Sequence, residues 1–355
     1  MMRVLQVYSE FHPQASGVAR HMDGLARALA GQGVAVEVAA LAVASDLGPR
    51  PYGVTRLRLG DLPAAVRRAE VVHAHGSRTL AAALALGLAR ALGKPSVFTP
   101  HCYYDAGSLP RRLAKRVWDR TVESLLARWC GAMILLHQGW LDDIRQRGLR
   151  PRRTLVVPNC IDADALGERQ DAAGIRRLDG APAILSVGRL DPVKRLDDVI
   201  RALAQPGLAG AVLHVVGTGP DAERLHHLAQ APDVAGRVRF HGWQDDMAAA
   251  AMMAGCDVMV LASEREGLPT VLLEALLAGV PMVHSDIAGC MAIADEVGWN
   301  GGYPLGDVAA LAARLAGLAG GGVPAQVSAR VRARFSWQGR GGEILDLYRS
   351  LMAGR

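Results

Sequence analysis

Short runs rich in Val, Ile and Leu alternate with longer segments whose apolar residues recur every three to four positions, almost throughout the chain. The short runs at 3–8, 35–41, 71–74, 96–99, 132–136 and 154–157 predict strands, and the periodic segments at 18–31, 79–92, 109–130 and 140–146 predict helices. A second series follows, with strands at 183–187, 211–216, 238–241, 258–261 and 281–284 and helices at 193–204, 222–229, 247–254 and 271–278. Strands buried on both faces read as continuous apolar runs, as these do, so each series predicts a parallel, doubly wound α/β sheet. The segment 162–180 is polar, rich in Gly and Asp and without clear period, which places a hinge there. A further flexible stretch is expected at 317–324, followed by an amphipathic tail helix that could pack back on the first domain. The expected layout is residues 1–162, joined by a C-terminal helix at 335–352, as one Rossmann-like domain, and 163–334 as another.

A length of 355 residues exceeds what one hydrophobic core usually supports, in agreement with two domains. Aromatics make up only 5%, while small and aliphatic residues dominate, a mixture that lets helices approach strands closely. The net charge of +6 permits an anionic ligand or membrane surface. No basic run interleaved with aromatics reads as a nucleic-acid face, so no nucleic-acid partner is expected. Cys102, Cys130, Cys160, Cys256 and Cys290 are odd in number, widely separated and without a Cys-x-x-Cys, which fits free thiols in a reducing cytoplasm. The apolar run at 1–8 is too short for a signal peptide, and the most apolar stretches, 80–92 and 248–262, carry Arg90 and Asp257. A cytoplasmic, soluble protein is expected, at most peripheral on the inner face of the cytoplasmic membrane.

The most informative stretch runs Ser263-Glu264-Arg265-Glu266-Gly267-Leu268-Pro269-Thr270-Val271-Leu272-Leu273-Glu274. An expected strand ends, a loop holding Gly267 and Pro269 follows, and a helix begins near Thr270. Backbone N–H groups across Leu268, Pro269, Thr270 and Val271, with the positive helix end behind them, would make an anion site. Glu266 stays on the loop while Glu274 lies in the early turns of the helix; either carboxylate can accept bidentate hydrogen bonds from sugar hydroxyls. Acid pairs at this spacing should arise about three times by accident in such a chain, so spacing alone is weak. In Val187-Gly188-Arg189-Leu190-Asp191-Pro192-Val193-Lys194, another strand runs into a Gly and a loop bracketed by Arg189 and Lys194. A forked guanidinium and a point charge at a strand's carboxyl end fit a diphosphate. No carboxylate or histidine cluster has convincing metal spacing, so the cations would do the work that Mg²⁺ does elsewhere, and no metal or other cofactor is expected.

In the first domain, Ser16-Gly17-Val18 opens the first helix, with Gly17 where backbone could approach a ligand closely. This is not a GxGxxG fingerprint, which argues against a dinucleotide dehydrogenase. His101 directly follows an expected strand in Thr99-Pro100-His101, where a neutral imidazole could hydrogen-bond a sugar hydroxyl. His73 and His75 close the preceding strand and read as structural.

Taken in order, these residues resemble the retaining GT-B glycosyltransferases of glycosyltransferase family 4. The resemblance rests on Ser16-Gly17-Val18, Val72-His73-Ala74-His75, Thr99-Pro100-His101, Val157-Pro158-Asn159-Cys160-Ile161-Asp162, Val187-Gly188-Arg189-Leu190 with Lys194, Val216-Gly217-Thr218-Gly219-Pro220, and Glu266-x₇-Glu274. It implies a GT-B fold, two Rossmann-like domains facing a cleft, and a sugar donor activated by a nucleoside diphosphate. By resemblance, Arg189 and Lys194 hold the diphosphate, Gly17, Gly217 and the turn Leu268–Val271 line it, and Glu274 binds the ribose. Glu266 and His101 would touch the donor sugar, and His101, Arg189, Lys194 and Glu266 form the implied catalytic set. The resemblance also implies retention of anomeric configuration without a metal. Three departures stand out: Cys160 where the family often has Gly, His137 where Ser is common, and Ala288-Gly289-Cys290-Met291-Ala292 in place of a Gly-Gly-x-x-Glu loop.

The acceptor implied is a saccharide or lipid-linked saccharide of bacterial envelope polysaccharide assembly. The segment 109–130 carries Arg111, Arg112, Lys115, Arg116, Arg120 and Arg128 among Leu113, Val117, Trp118, Leu125, Leu126 and Trp129. Such a basic amphipathic helix can lie on anionic lipid, or be an ordinary domain helix with a solvated basic face. A sugar-nucleotide epimerase or hydrolase of the same architecture, and a non-catalytic binding partner, are the competing classes.

Overall fold

The computed structural model describes residues 1–12, 16–45, 47–105 and 107–354. Pro13, Gln14 and Ala15, which precede the Ser-Gly-Val motif, lie outside the described residues. The chain divides into two compact units, one formed by Met1–Cys160 with the residues from Trp337 onward, the other by Ile161–Ser336.

Among the described residues, unit 1 contains β1 (Arg3–Phe11), β2 (Ala35–Val43), β3 (Gly53–Arg56), β4 (Val71–His75), β5 (Ser96–Thr99), β6 (Ala132–Leu135) and β7 (Thr154–Val156), ordered β3-β2-β1-β4-β5-β6-β7. Every ladder is parallel. The pleat sends alternate residues of β1 to opposite faces. Leu5 and Val7 pack with Leu62, Val66, Ala81, Ala85 and Ala89, whereas Val4 joins Met22, Leu25 and Leu29 of the helix Gly17–Gly31. The C-terminal helix Trp337–Ala353 closes that second face, burying Trp337, Ile344, Leu345, Leu347 and Tyr348 in the same core.

Unit 2 contains, among the described residues, β8 (Ala183–Val187), β9 (Val212–Val216), β10 (Val238–Phe240), β11 (Val258–Leu261), β12 (Met282–Ser285) and β13 (Gly302–Tyr303), ordered β10-β9-β8-β11-β12-β13 and again all parallel. Both units are therefore Rossmann-like. In each, the chain builds outward on one side of its first strand and then returns to build on the other. The order reverses between β1 and β4 in unit 1 and between β8 and β11 in unit 2. In open parallel sheets the loops at such a reversal diverge at the carboxyl ends of the strands and leave a crevice for ligand.

The structure corrects several expectations. The segment 162–180 is not irregular: Ala163–Ala173 is a helix, with Asp162 accepting from Ala165 N at 3.2 Å and Arg169 paired to Asp246 at 3.1 Å. Only Ala163 and Leu166 of that helix are buried, so capping and an ion pair hold what a faint apolar stripe does not announce. The single helix expected at 193–204 is a 3₁₀ turn, Pro192–Lys194, then Arg195 in the left-handed region at φ 47°, then the helix Leu196–Ala202. The single helix expected at 109–130 is Leu109–Trp118, a π turn over Asp119–Glu123, and Ser124–Trp129. The wider turn accompanies two inward-facing acids. Asp119 pairs with Arg78 at 2.6 Å and Arg147 at 3.1 Å, and Glu123 accepts from Tyr103 Oη at 3.1 Å and Trp118 Nε1 at 2.9 Å. The helix Val308–Leu318 runs into the stretch expected to be flexible at 317–324, and Ala325–Arg334 adds a helix the periodicity did not show.

Candidate functional site

In unit 2 the switch point coincides with the charged loops. After β8, the chain passes Gly188 and Arg189 to the 3₁₀ turn; Asp191 caps it, accepting from Val193 N at 3.2 Å. The left-handed residue behind this turn ends it, and Lys194 projects toward the loop after β11. Lys194 Nζ lies 2.6 Å from Glu266 Oε1, and Ser263 Oγ donates to the same oxygen at 2.6 Å. Glu264 N donates to Val193 O at 2.8 Å, so backbone as well as side chains tie the two loops together. Ser285 at the end of β12 completes the frame by donating from Oγ to Ser263 O at 2.6 Å. The Glu266 side chain keeps only 8% of its surface exposed and that of Lys194 28%. Arg189 is different: its side chain is 68% exposed, and its nearest carboxylate, Asp191, is 3.9 Å away.

The neighbouring loop after β9 presses on the first one. Gly217 adopts φ 135°, and a Cβ there would fall 1.9 Å from Gly188 O. Leu190 N donates to Thr218 O at 2.9 Å and Asp221 N to Leu190 O at 3.0 Å. Gly217 is thus required by the fold, whatever it contacts besides.

Past Glu266, Gly267 and Leu268 are buried, and Pro269 caps the helix Thr270–Leu277 without a side-chain hydrogen bond. Proline carries no N–H, so Pro269 cannot donate to an anion as expected, and the first-turn amides available to the motif are those of Thr270 and Val271. Glu274 lies half-buried in the second turn. The departure at 288–292 is not a loop but the start of the helix Ala288–Val297. A Cβ at Gly289 would meet Glu266 O at 2.7 Å and Gly267 O at 3.0 Å, so this helix sits directly on the loop carrying Glu266. Cys290 is fully buried beside the pair, and burial and the Glu266 carboxylate raise its thiol pKa well above the ordinary range.

In unit 1, Gly17 is the first residue of its helix, beneath the Ser16 cap, and exposed. No described protein atom lies within 4 Å of a Cβ built there, so the fold itself does not demand glycine. His101 follows β5 in the left-handed region at φ 64°, an unusual conformation for a bulky residue, and is 6% exposed. Its Nε2 shares a hydrogen bond of 3.2 Å with His75 Nδ1. His73 is braced at both ends, by Tyr348 Oη at 2.6 Å and Thr99 Oγ1 at 2.7 Å. His21, on the helix after the Gly17 turn, bonds Asn159 Oδ1 at 2.9 Å and sets its ring against that of His101, with centroids 4.7 Å apart. Burial lowers His21 to about 4 and holds His73, His75 and His101 well below the usual range, so all four are neutral near pH 7. Reading along the chain missed His21; its signal is its place on the helix face of Val18, Met22 and Leu25. Ser263 was missed as a partner because its role depends on the neighbouring strand.

The segment 15–165 matches the glycosyltransferase family 4 model, and 168–316 matches the model of glycosyl transferases group 1. The chain is 31% identical over 258 residues to a 2-deoxystreptamine N-acetyl-D-glucosaminyltransferase of Streptomyces fradiae, covering 69% of this chain and 61% of that protein. A lipopolysaccharide core biosynthesis glycosyltransferase, LpsE of Rhizobium meliloti, is 39% identical over 31% of each chain. Thus the chain spans less than two thirds of the length of either relative. Its fold matches that of Anabaena HepE, solved in complex with UDP-glucose, with a TM-score of 0.75, 19% identity and coverage of 99% of this chain and 100% of that one. The fold is that of the GT-B glycosyltransferases, and each of the two units carries a glycosyltransferase domain match. Among the described residues, no helix is long and apolar enough to cross a membrane.

Proposed function

We propose that this GT-B protein is a retaining glycosyltransferase that moves a sugar from a nucleoside diphosphate donor to a saccharide or lipid-linked saccharide acceptor without a metal. The observation that carries the proposal is the joining of Lys194, Glu266 and Ser263 at the unit 2 switch point, with Arg189 on the same loop as Lys194. A half-exposed ammonium and an exposed guanidinium at diverging strand ends suit a diphosphate, and the first turn of the Thr270 helix adds backbone amides. In the proposed step, the bond from the anomeric carbon to the diphosphate oxygen breaks. The acceptor oxygen bonds to that carbon on the same face, and its proton passes to the departing oxygen. Charge developing on the diphosphate is met by Arg189 and Lys194, whose attraction strengthens in the transition state. Glu266 and His101 take the sugar, Glu274 the ribose, and Gly17 and Gly217 close approaches to the diphosphate. The UDP-glucose held by Anabaena HepE, a protein of the same fold, supports a nucleotide-sugar donor.

A lipid-linked acceptor is favoured by the helix Leu109–Trp118. Leu109, Leu113 and Val117 stand in one row, 79%, 60% and 55% exposed, flanked by exposed Arg111, Arg112 and Arg116. An apolar row between cations matches an anionic bilayer surface, and we place the protein peripherally on the inner face of the cytoplasmic membrane. The test is nucleoside diphosphate release from a panel of nucleotide sugars, in excess EDTA, with and without lipid extract. Release that depends on the extract and persists in EDTA supports the reading. Release without any acceptor points to a hydrolase, and complete loss with chelator, restored by added Mg²⁺, overturns the metal-free mechanism.

A further inference from the structure

The histidines of unit 1 do more than support one another. One nitrogen each from His21, His75 and His101 lie within 4.8 Å of one another, and all three residues are buried. Their ring centroids are 4.7, 5.4 and 5.6 Å apart. Three imidazoles on one tetrahedral zinc, each with Zn–N about 2.0–2.1 Å, place their bonded nitrogens about 3.3 Å and their ring centroids about 5 Å apart. The facing nitrogens of His75 and His101, at 3.2 Å, already have that separation.

A further observation points to a missing ligand. His21 Nε2 is buried with no hydrogen-bond partner among the described residues. The carbonyl oxygen of Asn159 can only accept, so His21 Nδ1 donates to it and Nε2 carries a bare lone pair. A metal-binding imidazole has this same pattern, one nitrogen donating to a fixed oxygen and the other facing the ion. Leaving such an atom unsatisfied is costly, and a bound ion would relieve that cost. The neutral state that burial imposes on these rings also removes the proton that normally competes with a metal.

We infer that His21, His75 and His101 form a zinc-binding site in unit 1, which shares His101 with the proposed donor chemistry and inhibits it. The three ligands are neutral, so the ion keeps its charge and its fourth position must take a water, hydroxide or other anion. His101 is the ring that the proposed function assigns to the sugar; zinc holding it would stop turnover, and chelator would restore it. This inhibitory consequence rests on that assignment, whereas zinc binding does not.

The test is calorimetric titration of the EDTA-stripped full chain with Zn²⁺, in parallel with Co²⁺ absorption to report tetrahedral coordination. One ion per chain should bind with micromolar or tighter affinity. His21→Gln and His75→Gln should each weaken it by at least about 10–100-fold, the loss that follows even when only a group orienting a metal ligand is removed. His241→Gln is the control, because His214 and His241 form a second histidine pair, 3.0 Å apart, in unit 2. If His21→Gln does not fold, judged by circular dichroism, His101→Gln takes its place. Absence of binding, or binding lost with His241→Gln and kept in the unit 1 variants, overturns the site. A chain that binds zinc but shows no transferase activity would refute the proposed function and leave the site standing.

Discussion

Arg189→Ala and Lys194→Ala should be alike in turnover and unlike in stability. Each removes one of two cations offered to the diphosphate, and losing one such electrostatic partner costs about 10²–10³ in rate. The structure separates their other effects. Lys194 Nζ sits 2.6 Å from a carboxylate whose side chain is 8% exposed. At an effective dielectric of about 20, that contact represents roughly 6 kcal/mol of gross attraction. Desolvation of Glu266 and solvent around the partly exposed ammonium cancel most of it, leaving a net coupling of about 1–3 kcal/mol. Lys194→Ala removes the cation from this buried carboxylate and leaves it the Ser263 hydroxyl, so unit 2 should lose stability. Arg189, 68% exposed with its carboxylate neighbour 3.9 Å away, should change stability by no more than about 0.5 kcal/mol. A double-mutant cycle of Lys194→Ala and Glu266→Gln measures the coupling. It is best read by hydrogen exchange in peptides from Ile161–Ser336, because a chain of two units need not unfold in one step. Additivity within about 0.5 kcal/mol would dismiss the ion pair as a stabilising contact. Near-normal turnover in both alanine variants would remove the diphosphate assignment.

Glu266→Gln is expected mainly to lower kcat while nearly preserving nucleoside diphosphate affinity, and Glu274→Gln to raise KM and weaken that affinity; calorimetry showing the reverse would exchange their roles. Gly217→Ala should destabilise unit 2 by more than about 2 kcal/mol, because a methyl group cannot occupy space 1.9 Å from Gly188 O at φ 135°; unchanged thermal unfolding would contradict the loop packing described. Leu113→Glu with Val117→Glu should abolish sedimentation with anionic vesicles and spare binding of nucleoside diphosphate; equal sedimentation of the parent chain with neutral and anionic vesicles would refute the membrane-facing reading.

Much of the fold was legible because buried parallel strands advertise themselves as apolar runs, and β5, β8 and β11 fall where the runs predict. What the pattern hid was held together by something other than apolar periodicity. The helix Ala163–Ala173 rests on a cap and an ion pair, and the π turn at Asp119–Glu123 on buried acids that a periodicity search scores as solvent-facing. At the site, single residues at strand ends could be chosen from sequence, since a Gly followed by Arg and Lys after an apolar run marks a loop at a sheet edge. Their partners could not. Glu266 meets Lys194 across a separation of about seventy residues, and His21 meets His101 across eighty. The substitution at 288–292 illustrates the same limit. Read linearly it is a loop lacking its glutamate; in the fold, Gly289 presses a helix onto the backbone of Glu266.

The two units share a topology and use their switch points for opposite electrostatics. In unit 2 the loops keep charge, with Arg189 exposed, Lys194 partly so and Glu266 neutralised by its partner. In unit 1 the corresponding strand ends carry imidazoles that burial keeps neutral. On the proposed mechanism this division is what the reaction needs. The departing diphosphate gains negative charge, which cations stabilise, whereas the sugar ring gains positive charge, which a protonated histidine would oppose. A neutral His101 can hydrogen-bond a sugar hydroxyl without that repulsion. The left-handed backbone at His101 and its contacts with His75 and His21 hold the ring in that buried, uncharged setting. The same neutrality leaves one lone pair on the ring for a metal ion, so on the inferred zinc site the feature suited to a metal-free transfer is also the one that zinc would exploit.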